Sequence, residues 1–202
     1  MKSRHATVRD RMDEIMYKKQ MKFQKLVCLL VLAASAILFI YSLGFATDLY
    51  DALYPPMKSD PNLYDDNYVT SVKGAEIFCH IQPFNKNLTT VSIILIICSL
   101  ALFLSNTHSR RKYYVANYVT IAISSLANVG VAIWSAINVS KFKTQYLTTV
   151  DFEALKAYAE EWKTLYIDQN STFWFDFGFV ISAILVIVAA INIINLIWKI
   201  KL

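Results

Sequence analysis

Four long stretches of this chain contain no lysine, arginine, aspartate or glutamate, and they constrain its fold more than any other feature. They cover residues 26–47, 87–109, 113–140 and 177–198, so each is 22 to 28 residues long. A helix rises about 1.5 Å per residue, so about 20 apolar residues cross a hydrocarbon core of about 30 Å. The sequence therefore predicts an all-α integral membrane protein, a bundle of four transmembrane helices.

These stretches divide the 202 residues into nine segments. The predicted transmembrane helices are 26–47, 88–107, 114–138 and 173–198. The other segments are a basic arm (1–25), a first outward loop (48–87), a short cytoplasmic loop (108–113), a second outward loop (139–172) and a tail (199–202). We expect no separate soluble domain, because none of these segments is long enough to bury a core of its own.

Basic residues lie on alternate connections, and this predicts the orientation. Residues 1–25 hold eight Lys/Arg against three Asp/Glu, whereas 48–86 hold three against six and 141–168 hold four against five. Cytoplasmic loops carry the excess of Lys and Arg. We therefore expect both termini in the cytoplasm of a plasma membrane protein (N-in, C-in). The net charge of +5 follows the membrane sides and does not indicate nucleic-acid binding.

The arm has the pattern of a short amphipathic helix. Met12, Ile15 and Met16 recur at helical spacing, and the cationic side includes Lys18, Lys19, Lys22 and Lys25. Such a helix can lie in the membrane interface against anionic lipid headgroups, which we count as expected partners. The alternative is that these charges only set the orientation of the first transmembrane helix.

The second outward loop contains a clearer amphipathic helix, at about 150–167. Thr149 is a plausible N-cap, and acidic residues follow in the first turn. One face carries Phe152, Leu155, Ala159, Trp162 and Tyr166. Since this face must cover something apolar, we expect the two outward loops to form a small cap. The nearest candidates in the first loop are four tyrosines: Tyr50, Tyr54, Tyr64 and Tyr68.

Small and weakly polar residues mark faces suited to helix packing, because apolar side chains gain no hydrophobic energy on leaving lipid for protein. On the third helix the stripe recurs every four residues: Ala116, Thr120, Ser124, Asn128, Ala132 and Ala136. The fourth helix has Gly178, Ser182, Ala189, Asn192 and Asn195. The first has Cys28, Ser35 and Ser42, and the second has Ser92, Cys98 and Ser99.

Two polar residues in the helices have both a functional and a structural interpretation. Asn128 lies near the middle of the third predicted helix, where it could bind a substrate or ion or make an interhelical hydrogen bond. Asp176 lies at the outer edge of the fourth predicted helix, where a carboxylate is either a functional acid or a helix cap. The structural interpretation is the commoner one for both.

The sequence contains no pattern typical of catalysis or of a metal site. The three histidines are far apart, and neither a C-x-x-C pair nor a G-x-S-x-G motif occurs. We expect no enzyme activity and no cofactor. Claudins, tetraspanins and connexins share the four-span layout, but this chain has none of their loop cysteine motifs.

The leading hypothesis is a non-enzymatic membrane protein that acts by protein–protein contact, as a scaffold or as an accessory subunit of a membrane complex. Its expected recognition surface is Tyr50, Tyr54, Tyr64, Tyr68 and Trp162. Its expected partners are copies of itself or other membrane subunits. The alternative is a subunit of an oligomeric channel or transporter. The face for packing or for a pore is predicted at Ser124, Asn128, Gly178, Ser182 and Asn192.

Overall fold

The computed structural model describes residues 2–57, 72–106 and 115–201, and in these ranges the regular elements are all helices. The five helices are α1 (Lys2–Met57), α2 (Ile77–Asn106), α3 (Val115–Thr149), α4 (Phe152–Trp162) and α5 (Phe173–Lys201). Tyr64, Tyr68 and the predicted cytoplasmic loop 108–113 lie outside the described residues.

Four of these helices are long and apolar enough to cross a membrane, which confirms this part of the prediction. The candidate spans are Glu14–Pro56, Ile77–Asn106, Asn117–Thr149 and Phe173–Lys201. Each carries large apolar side chains on its exposed face, among them Ile40, Ile97, Leu126 and Ile187. Exposed apolar side chains on every long helix are compatible with a hydrocarbon surrounding.

The basic arm and the first predicted transmembrane helix form one continuous helix of 56 residues, α1, instead of two elements. The sequence before Gly44 has neither glycine nor proline to interrupt it. On the arm, the predicted apolar stripe of Met12, Ile15 and Met16 is exposed, and among the side chains that the structure describes there, Gln20 and Gln24 are the buried ones. Pro55 and Pro56 lie in the last turn of α1.

Helix α4 is shorter than predicted and begins with a different cap. Thr149 is the last residue of α3, and its hydroxyl donates to the Gln145 carbonyl in that helix (2.6 Å). The N-cap is Asp151, whose carboxylate accepts from the Ala154 N–H at 3.0 Å. The helix stops after 11 residues because Lys163 adopts a left-handed conformation, with φ of 54°.

This cap leads to a stability prediction. Replacing Asp151 with alanine leaves the Ala154 N–H without its acceptor, and we expect a loss of about 1 kcal/mol in the free energy of unfolding. Thr149→Ala is the matched control, because its hydroxyl bonds only within α3, and it should change stability by less than about 0.5 kcal/mol. Denaturant titration in detergent micelles measures both. Equal losses would contradict the assignment of the cap.

The contacts group into two compact units. The first comprises Met1–Ala36, Ile93–Ala132 and Ala183–Leu202, and the second comprises Ile37–Ser92 and Ile133–Ser182. Each of the four long helices contributes a segment to both units, whereas α4 belongs to the second alone.

On α3 the buried face differs from the predicted stripe. Ser124 and Thr120 are only half-buried, and the side chain of Ala116 lies outside the described part of the chain. A step of four residues advances about 40° beyond a full turn, so residues spaced by four drift around the helix and do not stay on a single face. The buried positions alternate steps of four and three, the spacing of a helix-packing seam: Ile121, Ser125, Asn128, Ala132, Ser135 and Val139.

Candidate functional site

A row of aromatic side chains in the second unit joins the end of α1 to α4. The rings of Tyr50 and Tyr54 stack at 4.6 Å and 15°, and both contact the edge of Phe78 on α2. The Tyr158 hydroxyl on α4 donates to the Pro55 carbonyl at 3.1 Å. The Tyr158 ring lies 6.2 Å from that of Trp162. We call Tyr50, Tyr54, Tyr158 and Trp162 the aromatic row.

Two members of the aromatic row are open to their surroundings. Trp162 is 63% exposed and Tyr50 is 45% exposed, whereas Tyr54 and Tyr158 are half-buried. Of the apolar face predicted on α4, Leu155 and Ala159 are the buried members. Trp162, which shares that face, is not buried with them. Leu165 and Tyr166 extend the exposed surface beyond the helix.

Sequence reasoning missed Tyr158. It precedes Trp162 by four residues, so both side chains lie on one side of the helix, and this spacing was visible in the sequence. What the sequence did not contain is the bond from Tyr158 to Pro55, 103 residues earlier in the chain.

A groove with a volume of about 260 Å³ lies beside the aromatic row, between α1 and α2. Its lining is mainly apolar with a few amide and hydroxyl groups: Thr47, Tyr50, Phe78, Ile81, Gln82 and Asn85. The Asn85 Oδ1 atom is buried without a hydrogen-bond partner. No pattern in the sequence predicted this groove.

The asparagines predicted for a packing face or a pore form hydrogen bonds either within their own helix or to a neighbouring helix. Asn192 on α5 donates to the Ser125 hydroxyl of α3 at 3.0 Å and to the Ile121 carbonyl at 3.3 Å. The Asn128 amide donates to the Ser124 carbonyl in its own helix at 2.8 Å, and its Oδ1 atom has no partner. Among the described residues, Asn128 therefore does not make the interhelical bond that was the structural alternative predicted from sequence.

Gly178 and Ser182 lie at a close approach of helices in the second unit. The Ser182 hydroxyl donates to the Gly178 carbonyl at 2.9 Å. A Cβ atom at Gly178 would collide with the Tyr41 hydroxyl and press on Val139, so this glycine lets α5 approach α1 and α3. These contacts are those of packed helices, and the role of this face in a pore stays a prediction.

A pair of hydroxyl side chains joins α1 and α2 in each unit, and of these four residues the sequence marked Ser35, Ser42 and Ser99 but not Thr89. In the first unit the Ser35 and Ser99 hydroxyls are 3.1 Å apart. In the second the Thr89 hydroxyl donates to Ser42 at 3.0 Å. Cys98, which was grouped with Ser99, is exposed. Its side chain therefore lies off the packing face.

Asp176 lies in the first turn of α5 and is bound by two neighbours. Its carboxylate accepts from the Lys143 ammonium at 2.6 Å and from the Thr172 hydroxyl at 2.7 Å. About half of the Asp176 side chain is exposed, so the ion pair is a surface one. It contributes little to stability, and the hydrogen bond to Thr172 fits the capping interpretation.

A second site, which is polar and lies in the first unit, was not anticipated from sequence. Buried amide side chains from three helices meet there with a buried lysine of the last turn of α5. We call the group the polar cluster: Gln20, Gln24, Asn106, Asn195 and Lys199. Two glutamines four residues apart inside a basic arm are a signal that could have revealed one wall of it.

The four lysines predicted to lie at the membrane surface, Lys18, Lys19, Lys22 and Lys25, are all exposed. Lys18 pairs with Glu14 at 2.7 Å, one turn earlier on α1. Within residues 2–57, 72–106 and 115–201, no three His, Cys, Asp or Glu side chains group in a way that could hold a metal ion.

No protein-family model matches the chain, and comparison with the curated proteins and with the solved structures finds no match either. The function must therefore be argued from the two sites above.

Proposed function

We propose that this protein is a multi-pass plasma membrane protein, with both termini in the cytoplasm, that acts by protein–protein contact. The two long loops form a small outward cap, and the aromatic row of that cap contacts a partner subunit or a second copy of the chain. The protein is an assembly or accessory subunit and not an enzyme.

The exposure of Trp162 is the observation that carries this proposal. A tryptophan side chain left in water forgoes the burial of a large apolar surface, and exposed aromatic side chains are typical of contact surfaces. Here the exposed ring lies beside Tyr158, which a hydrogen bond ties to the end of α1. The surface is thus held in place before a partner binds, which lowers the entropy loss of binding.

Site-specific photo-crosslinking in the native membrane tests the proposal. A photoreactive phenylalanine analogue at position 162 is expected to give discrete higher-mass adducts, which mass spectrometry identifies. The matched control is the same analogue at Lys156, an exposed position of α4 six residues earlier. Lys156 lies on the polar side of the helix, so it should give no adduct.

A substitution at the same position measures how much the Trp162 side chain contributes to the affinity for the partner. Trp162→Ala should weaken co-purification of the crosslinked partner at least about tenfold, the effect typical of an aromatic hot spot. The free energy of unfolding of this variant should differ from wild type by less than about 1 kcal/mol, because the Trp162 side chain is mostly exposed. The proposal fails if positions 162 and 156 give the same adducts, or if Trp162→Ala retains the partner at wild-type affinity.

The alternative from sequence, a subunit of an oligomeric channel, requires several copies around a path lined by α3 and α5. Size measurement of the purified protein in mild detergent separates the two. A symmetric ring of copies would favour the channel, whereas a monomer or a complex with other subunits supports the contact role.

A further inference from the structure

The polar cluster brings a positive charge into the interior of the first unit, and no Asp or Glu side chain of the described residues forms an ion pair with it. Lys199 is only 6% exposed. Its ammonium donates to the Asn106 Oδ1 atom at 3.3 Å and lies 5.1 Å from the centre of the Tyr118 ring. Among the described residues, the ion pairs are Lys18–Glu14 and Lys143–Asp176, and neither involves Lys199.

An isolated ammonium is costly to bury, so it needs an anion or several oxygen acceptors. One amide oxygen at 3.3 Å and one aromatic face satisfy part of this need. The ammonium has three N–H donors, and the Asn106 oxygen accepts one of them. The last turn of α5 supplies a further partial negative charge, but a helix end carries only about half an elementary charge.

The surrounding amides bond one another, and among the described residues Asn106 supplies the one amide oxygen that accepts from Lys199. Gln20 donates to the Gln24 oxygen at 2.9 Å and to the Asn195 oxygen at 3.1 Å. Gln24 in turn donates to the Asn106 backbone carbonyl at 2.5 Å. The Asn106 amide group donates to the Thr120 hydroxyl of α3 at 3.1 Å. This network fixes the Asn106 oxygen toward Lys199.

A second buried donor, one turn before Lys199 on α5, lacks an acceptor. Asn195 is fully buried, and its Nδ2 atom has no hydrogen-bond partner. It precedes Lys199 by four residues on α5, so both side chains lie on one side of that helix. The cluster therefore holds one ammonium with a single oxygen acceptor and one amide N–H group with none.

The position of the cluster along α5 indicates which anion is available. The charge-free stretch 177–198 ends immediately before Lys199, and its 22 residues span about 33 Å, slightly more than a hydrocarbon core. Trp198, whose ring lies 5.5 Å from that of Phe23, is a residue typical of the membrane boundary. Lys22 and Lys25 are exposed on α1. Lys199 thus lies at the depth of lipid phosphates.

We propose that the polar cluster binds the phosphodiester of an anionic phospholipid, with Lys199 and Asn195 as the donors to its oxygens. The proposal rests on the membrane location proposed above but not on the contact role of Trp162. It differs from the predicted attraction of lipids to the arm, because the donors here are buried and form a defined site.

Native mass spectrometry of the full chain in detergent tests the proposal, with phosphatidylglycerol and phosphatidylcholine as probes. Both lipids have one phosphodiester, but the choline cation cancels its charge. The wild-type protein should bind phosphatidylglycerol at least about tenfold more tightly, a difference of about 1.4 kcal/mol. Equal affinity for the two lipids contradicts the proposal without any variant.

Lys199→Met removes the charge at similar length and should reduce the preference to within about twofold. Lys201→Met is the matched control, because Lys201 lies in the same turn of α5 but is exposed, and it should keep the wild-type preference. Retention of the preference in Lys199→Met, or its loss in both variants, contradicts a site at the cluster.

Two further measurements complete the test. If Lys199→Met does not fold, Asn195→Leu keeps the charge and removes one donor, and it should weaken phosphatidylglycerol binding about threefold. An unchanged affinity then contradicts the proposal. Excess inorganic phosphate should not displace the lipid. Displacement, together with equal thermal stabilisation by phosphate alone, would show that the cluster takes a free anion and would overturn the lipid assignment.

Discussion

Replacing Gly74 with alanine is expected to lower the free energy of unfolding by about 3 kcal/mol. Gly74 has φ of +87°, a conformation that side chains other than glycine rarely adopt. A Cβ atom there would also collide with the backbone of Thr149 and Val150. Neither backbone can move easily, because the adjacent Lys73 carbonyl accepts from the Asp151 N–H at 2.9 Å.

The matched control is Gly130→Ala on α3. A Cβ atom at Gly130 meets nothing within 4 Å, and the residue is exposed. Alanine should stabilise the helix there by up to about 1 kcal/mol in water and by less in a bilayer. Unfolding in mixed detergent and dodecyl sulfate micelles measures both variants. Gly74→Ala at wild-type stability would show that the turn at residues 72–76 does not hold α2 against the end of α3.

Replacing Asn106 with leucine should have an effect of similar size in the first unit. The substitution removes the oxygen that accepts from the buried Lys199 ammonium, and it removes the amide that donates to Thr120. A buried charge left without its partner destabilises by about 3 kcal/mol. We therefore expect a loss of about 3 kcal/mol in the unfolding titration.

Asn138→Leu provides the comparison for Asn106→Leu. Asn138 is half-buried on α3, and its amide donates to the Trp134 carbonyl of its own helix at 2.8 Å. Its replacement should change the free energy of unfolding by less than about 1 kcal/mol. If the two variants lose equal stability, the bond to Lys199 is not what makes Asn106 important.

Features that depend on neighbouring residues in the chain were predicted well. The four long apolar helices follow from runs of charge-free residues, because length and hydropathy are local properties. The sequence also marked Ser35, Ser42 and Ser99, which join α1 to α2, since heptad spacing marks one face of a helix, but it did not mark Thr89, the partner of Ser42. The helix in the second long loop was expected, although its first capping residue and its length were not.

Features that depend on residues distant in the chain were not predicted. Gln20 and Asn195 are 175 positions apart, and nothing in either segment shows that their amides meet. The burial of Lys199 was hidden because a lysine near the end of a transmembrane helix reads as a topogenic charge. The exposure of Trp162 was likewise undecided, since helical spacing places it on the same face as the buried Leu155.

The sequence by itself determined that the chain folds into four helices able to cross a bilayer, because charge-free runs of more than 20 residues can satisfy their backbone hydrogen bonds within hydrocarbon as helices. Only the tertiary structure decided which polar side chains lie inside and which aromatic ones lie outside. That choice depends on which helix faces pack together. Helix packing in an apolar solvent is governed by close contact and paired hydrogen bonds between distant residues, which hydropathy does not record.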